Sequence, residues 1–137
     1  MIAFDTNLVV RAFVNDDPAQ VAVVRSLMQS NTVYLSKTVL LETEWVLRSR
    51  YQCSRSVLVD LFTALLAADD VVIENADQLT QALEWYRLGA DFADALHLAA
   101  AGTAVMHTFD QAFCKEARAA SVTPMVKVLR TDVDKER

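Results

Sequence analysis

Carboxylates stand in this chain where short apolar runs end. Asp5 follows Ile2-Ala3-Phe4 and leads into Thr6 and Asn7, and Asp110 follows Val105-Met106-His107-Thr108-Phe109. Asp91 and Asp94 lie three apart at the head of a run of small residues ending at Gly102, and Glu42 sits among Val39, Trp45 and Val46. In open α/β sheets ligands collect outside the carboxyl ends of the strands, so acids there are placed for metal or substrate chemistry. Gathered carboxylates repel, and one is driven protonated unless a divalent cation supplies the missing charge. Oxygen donors without Cys or His suit the hard ions Mg²⁺ and Mn²⁺, whose sites commonly handle phosphates. Each acid also has a structural reading: Asp5, Asp91 and Asp110 can each cap a helix, and Asp91 with Asp94 resembles a capping box. Glu44 falls roughly 200° around a helix from Glu42, so the two cannot serve one site. His97 and His107 read as structural, since hard cations prefer oxygen.

Strands alternating with helices would position these acids. Ile2-Ala3-Phe4 is a short apolar run suited to a central strand covered on both faces. A helix beginning near Leu8 reaches the Asn15-Asp16-Asp17-Pro18 turn, where Asp17 caps a second helix with Pro18 at its first position. Val33-Tyr34-Leu35 predicts a second strand. Ser36-Lys37-Thr38 then opens a helix to about Tyr51, with Val39, Trp45 and Val46 in or beside its buried stripe and Glu42 on the rim. Ser54-Arg55-Ser56 starts a helix with a Val57, Leu58, Leu61, Leu65, Leu66 stripe, and Val71-Val72-Ile73 predicts a third strand. A helix over 77–88 ends at Gly89 as its C′ residue, and another covers 91–102. Residues 105–108 predict a fourth strand, after which Phe109-Asp110 repeats the arrangement of Phe4-Asp5. A helix over 112–119, a fifth strand over 125–128 and a fraying polar tail complete the pattern, which is that of an α/β/α sandwich with a mainly parallel sheet.

Composition narrows the class. At 137 residues, 53% hydrophobic with two Gly and two Pro, the chain is long enough for one core and too apolar for disorder. It carries no basic leader followed by a long apolar stretch and no run of membrane-spanning length, so a cytoplasmic location is expected. Cys53 and Cys114 form no close pair and read as free thiols. A net charge of −5 argues against holding nucleic acid by bulk electrostatics, though not against metal ions with a local basic patch. Arg11, Lys37, Arg48, Arg50, Arg87, Lys115 and Arg118 form the pool for such a patch.

Four motifs in order, Phe4-Asp5-Thr6-Asn7, Leu41-Glu42 with Trp45-Val46-Leu47, Asp91-Phe92-Ala93-Asp94-Ala95-Leu96 with Ala99, and Thr108-Phe109-Asp110 with Phe113, resemble the PIN domain. Within it they resemble the VapC-type toxins of bacterial toxin-antitoxin operons. The resemblance covers essentially the whole chain, and implies one PIN-like domain over 1–130 with a polar tail over 131–137 and about five strands in the central sheet. It implies an endoribonuclease whose acidic quartet is Asp5, Glu42, Asp94 and Asp110. Asp5, Asp94 and Asp110 would hold Mg²⁺, with Mn²⁺ able to substitute, and Thr6 and Asp91 would be auxiliary. Metal-activated water would cut RNA to leave 5′-phosphate and 3′-hydroxyl ends. A cognate antitoxin protein and a homodimer are the implied partners.

Two other classes compete. A Mg²⁺-binding receiver-like or phosphotransfer domain wants paired acids after the first strand and an acceptor Asp after the third; here Asp5 stands alone and Ile73 leads to Glu74-Asn75. An aspartyl-phosphate phosphatase wants a second Asp two residues after Asp5, where this chain has Asn7. The other class, a non-catalytic partner-binding module, sits poorly with a complete acidic set.

Overall fold

The computed structural model describes residues 1–119 and 126–135. The chain forms two compact units, Met1–Ala76 and Asp77–Arg137. Its architecture is α/β, with parallel strands flanked by helices, and every strand pairing among the described residues is parallel.

In the first unit, β1 (Ile2–Ala3), β2 (Val33–Leu35) and β3 (Val71–Ile73) pair in that order, with Ile2 opposite Val33 and Val33 opposite Val71. β1 therefore stands at one end of this order and not in the middle as its apolar run suggested, and Ala3 is exposed. Four helices accompany the strands: α1 (Thr6–Phe13), α2 (Pro18–Ser30), α3 (Lys37–Arg50) and α4 (Arg55–Ala67). Each begins on a side-chain cap. Asp5, Asp17, Ser36 and Ser54 accept from the backbone N–H of Leu8, Gln20, Val39 and Val57, satisfying donors that the first helical turn leaves unpaired. Glu74, just past β3, accepts from the Lys37 N–H at 2.9 Å and supplies α3 with a further partner.

Phe4, Val9, Phe13, Met28, Val33, Leu35, Leu65 and Val71 line a narrow, partly open hollow of about 10 Å³, at most the room of a single water. The buried stripe of α3 is Leu40, Thr43, Glu44 and Leu47, while Trp45 is 50% exposed. Its polar members hid the stripe from a hydrophobicity pattern. Thr43 Oγ1 donates to Val39 O at 2.7 Å, and buried Glu44 is ion-paired with Arg48 at 2.8 Å, so both enter the core already satisfied. In α4, Phe62 is buried with Leu58, Leu61 and Leu65, whereas Val57, expected in the stripe, is exposed.

In the second unit, α5 (Ala76–Arg87) buries Leu79, Leu83, Trp85 and Tyr86, and α6 (Phe92–Ala100) buries Phe92, Ala95, Leu96 and Leu98. The turn between them depends on Gly89 at φ +124°, a conformation open to glycine and strained for other residues. Across that turn Tyr86 and Phe92 meet edge-to-face, centroids 5.3 Å apart. β4 (Met106–Thr108) pairs with β5 (Val126–Val128), Met106 opposite Val126. The fifth strand thus lies where expected, with Met125 outside the described residues.

The helix expected over 112–119 contracts to α7 (Lys115–Ala119). Asp110 Oδ1 accepts from Ala112 N at 2.9 Å, and Cys114 lies at φ +42°, so the chain turns before it winds. Residues expected only to fray hold a helical turn, α8 (Asp132–Lys135), with Thr131 and Asp134 bonded to each other's backbone and side chains. No helix among the described residues is long and apolar enough to cross a membrane.

Candidate functional site

Parallel pairing puts the carboxyl ends of β1 and β2 on one edge of the sheet, and that edge is where α1 and α3 begin. Asp5 caps α1 through Oδ1, 3.1 Å from Leu8 N, and a carboxylate retains a second oxygen with its own lone pairs for another partner. The next residue, Thr6, is buried. α1 packs against α3, and on α3 the positions Val39, Glu42, Trp45, Val46 and Arg50 recur at helical spacing. With Asp5, Thr6 and Asn7 these residues line a cleft of about 320 Å³. Three sequence-selected residues, Asp5, Thr6 and Glu42, therefore share one cleft, and both of its carboxylates are exposed. On the other side of Asp5 a cleft of about 450 Å³ runs between α1 and α2, lined by Asn7, Leu8, Arg11, Ala19, Gln20, Val23 and Val24.

The other three acids lie in the second unit. Asp91 is the N-cap of α6, its Oδ2 accepting from Asp94 N at 3.0 Å, so the capping reading of this residue holds. Asp94, one turn in, is partly buried. Burial first, then the Asp91 and Asp110 carboxylates, raise its carboxyl above the ordinary value, and His97 acts weakly the other way. Asp110 is exposed beyond β4, with its N–H donating to Thr108 Oγ1 at 3.0 Å. Its resemblance to Asp5 stops at sequence: Phe4 is buried at 4% exposure and Phe109 is 67% exposed. The thiol of buried Cys114 also registers these acids. Burial, then Asp94, Glu116, Asp91 and Asp110, push it to about 12, so it is a neutral apolar side chain and not a nucleophile.

Sequence reasoning left three features unread: Glu74 at the start of α3, the Glu44–Arg48 pair inside the core, and Arg50 stacked over Trp45 with its guanidinium carbon 5.9 Å from the ring centroid. Only the aromatic beside a cation five residues on offered a signal for the last. From the basic pool, Arg11 is ion-paired with Asp16 and donates to the Tyr51 hydroxyl, Arg87 pairs with Glu84, and Arg118 donates to the Gln111 and Phe113 carbonyls. Arg50 lines the Asp5–Glu42 cleft.

The model of the PIN domain matches residues 2–119. The chain belongs to the PIN-domain family. PIN domains are associated with nucleic-acid binding and cleavage and often use divalent metal ions. No curated protein and no solved structure matched the chain. Among the described residues of this PIN domain no three His, Cys, Asp or Glu side chains form a ready-made metal-binding group. The donor chemistry nevertheless fits a hard ion. Mg²⁺ keeps several waters and is commonly held by one or two carboxylates plus substrate phosphate, and Asp5 offers an exposed carboxylate of that kind in an open cleft.

Proposed function

We propose that this PIN domain is a metal-dependent endoribonuclease and the VapC-type toxin of a toxin-antitoxin pair, acting in the cytoplasm. The observation that carries the reading is the cleft shared by Asp5, Thr6 and Glu42 in a chain whose PIN match spans residues 2–119. The competing receiver reading gains nothing from Asp5, which has no second acid beside it in either cleft on its flanks except Glu42 from α3.

In this reading Asp5, Glu42, Asp94 and Asp110 are the catalytic acids, assigned by motif match. Asp5, Asp94 and Asp110 would hold Mg²⁺ or Mn²⁺. Once bound, the ion supplies a Lewis acid for the phosphoryl oxygens and lowers the pKa of water. Asp5 is held by its cap bond to Leu8, so its position is set by the start of α1 and costs no reorganisation during the reaction. Glu42, from a different helix, can accept the proton of the attacking water. The new bond joins water oxygen to phosphorus and the P–O3′ bond breaks, so the 3′ oxygen leaves with a proton and the phosphate stays on the 5′ oxygen of the downstream nucleotide. Thr6 and Asp91 orient neighbours, Asp91 by fixing the first turn of α6 that carries Asp94. A separate antitoxin chain would silence the enzyme, and a homodimer is the proposed assembly.

The test is incubation of antitoxin-free protein with cellular RNA in Mg²⁺, in Mn²⁺ and in chelator, followed by sequencing of the RNA ends. Metal-dependent ends bearing 5′-phosphate, absent with Asp94→Asn, are expected. Uncut RNA with acid-labile labelling by a small phosphodonor would replace the nuclease by a phosphotransfer domain.

A further inference from the structure

Trp45 is half exposed on a helix that buries Leu40, Thr43, Glu44 and Leu47, and Trp85, the other tryptophan, is 2% exposed. The exposed indole carries Arg50 over its ring, 5.9 Å from the centroid, and both residues belong to the cleft of Asp5, Thr6 and Glu42. A π face positions a guanidinium without neutralising its charge, because the quadrupole contributes no counter-ion. Arg50 thus brings positive charge to the rim of a cleft whose two carboxylates repel a phosphodiester, in a chain of net charge −5. Proteins that hold single strands combine these two elements: a cation for the backbone and an aromatic plane for an unstacked base. A duplex keeps its bases stacked and offers an indole nothing to stack on.

We propose that Trp45 and Arg50 form a nucleotide-binding rim, the indole stacking one base of a single-stranded nucleic acid and the guanidinium meeting a neighbouring phosphate, so that the adjoining phosphodiester is presented to Asp5 and Glu42. The inference deepens the nuclease reading and rests on it for the orientation of the strand. Stacking tolerates any base, so this rim supplies affinity and register without sequence choice.

The two tryptophans provide the assay. A single-stranded RNA of roughly ten nucleotides, titrated in chelator so that it is not cut, should quench the emission of Trp45 and leave that of Trp85. Trp45→Phe should abolish the quenching and retain part of the affinity. Trp45→Ala should weaken binding between about five- and 150-fold. Arg50→Ala should weaken it and lower the salt dependence by about one phosphate contact, with Arg50→Lys restoring the salt dependence but not the full affinity. Wild-type affinity in both alanine variants, equal quenching by an abasic strand, or no quenching in chelator and in calcium would overturn the proposal. So would emission that shifts with protein concentration and ignores RNA, which would assign the rim to a second copy of the chain. Metal-dependent cutting with unchanged binding by Trp45→Ala sinks the rim and leaves the nuclease; binding at Trp45 without metal-dependent cutting does the reverse.

Discussion

Asp5 carries both a cap and a proposed catalytic charge, and two substitutions separate them. Asp5→Asn keeps an oxygen that accepts from Leu8 N, now at 3.1 Å, and Asn caps about as well as Asp. The loss is confined to the charge at the start of an eight-residue helix, a few tenths of a kcal/mol at an exposed site. Asp5→Ala removes the cap as well and should cost about 1 kcal/mol, a fall of about 4 °C in the thermal midpoint of a chain this size. Activity divides differently: both variants should lose RNA cleavage. Melting curves in chelator and in millimolar Mn²⁺ complete the assay, since an ion that binds only the folded site raises the wild-type midpoint and should raise that of D5N much less. An active D5N with the wild-type response to Mn²⁺ would leave Asp5 a helix cap and remove the metal mechanism. A D5A protein as stable as wild type would refute the energetic account of the cap.

The raised carboxyl of Asp94 has a sign. Its folded value lies above the unfolded one, so in chelator the wild type should lose stability as pH rises from the ordinary Asp range through the folded value, and Asp94→Asn should flatten that decline in urea melts at pH 4 and pH 7. Asp94→Asn and Asp110→Asn should each abolish cleavage and growth inhibition, whereas Asp91→Asn, which preserves the cap on α6, should retain measurable activity in the same assays. Alkylation of native protein at pH 8 should label Cys53 and spare Cys114. With its thiol at about 12, Cys114 is thiolate on the order of one part in ten thousand at that pH, and a second label should appear only on unfolding. Light scattering at micromolar concentration should give the mass of a homodimer; a concentration-independent monomer would refute the proposed assembly.

Much of this architecture was legible because its signals are local. Asp17-Pro18, Ser36 and Ser54 mark helix starts by the chemistry of the cap, and all of them start helices. Val33–Leu35 and Val71–Ile73 stand between polar residues and pair as strands. Errors came where tertiary partners satisfied residues that look wrong for their place. Thr43 and Glu44 are buried because Val39 O and Arg48 answer their polar atoms, and Trp45 was displaced from the expected stripe in consequence. The late start of the helix expected over 112–119 depends on the side chain of Asp110 and on a positive φ at Cys114, which no periodicity encodes. Of the acids, Asp5 and Glu42 could be brought to one cleft by reading strand end and helix face together. Asp91 showed its capping spacing openly, but the burial that raises Asp94 is a property of packing.

The parallel register of β1, β2 and β3 also divides the first unit into a side that can change and a side that cannot. All chemistry assigned to this unit lies at the carboxyl ends of strands or on the helices that start there. The returning connections, Asn31-Thr32 before β2 and Ala68-Asp69-Asp70 before β3, enter the opposite edge, where Ile2 N donates to Thr32 O and Val33 N to Asp70 O. Residues inserted in those two connections lengthen a solvent-facing return and leave the register of the strands intact. They are the positions at which a tag, a reporter or an evolved extension can be added to the chain while the Asp5–Glu42 cleft keeps its shape.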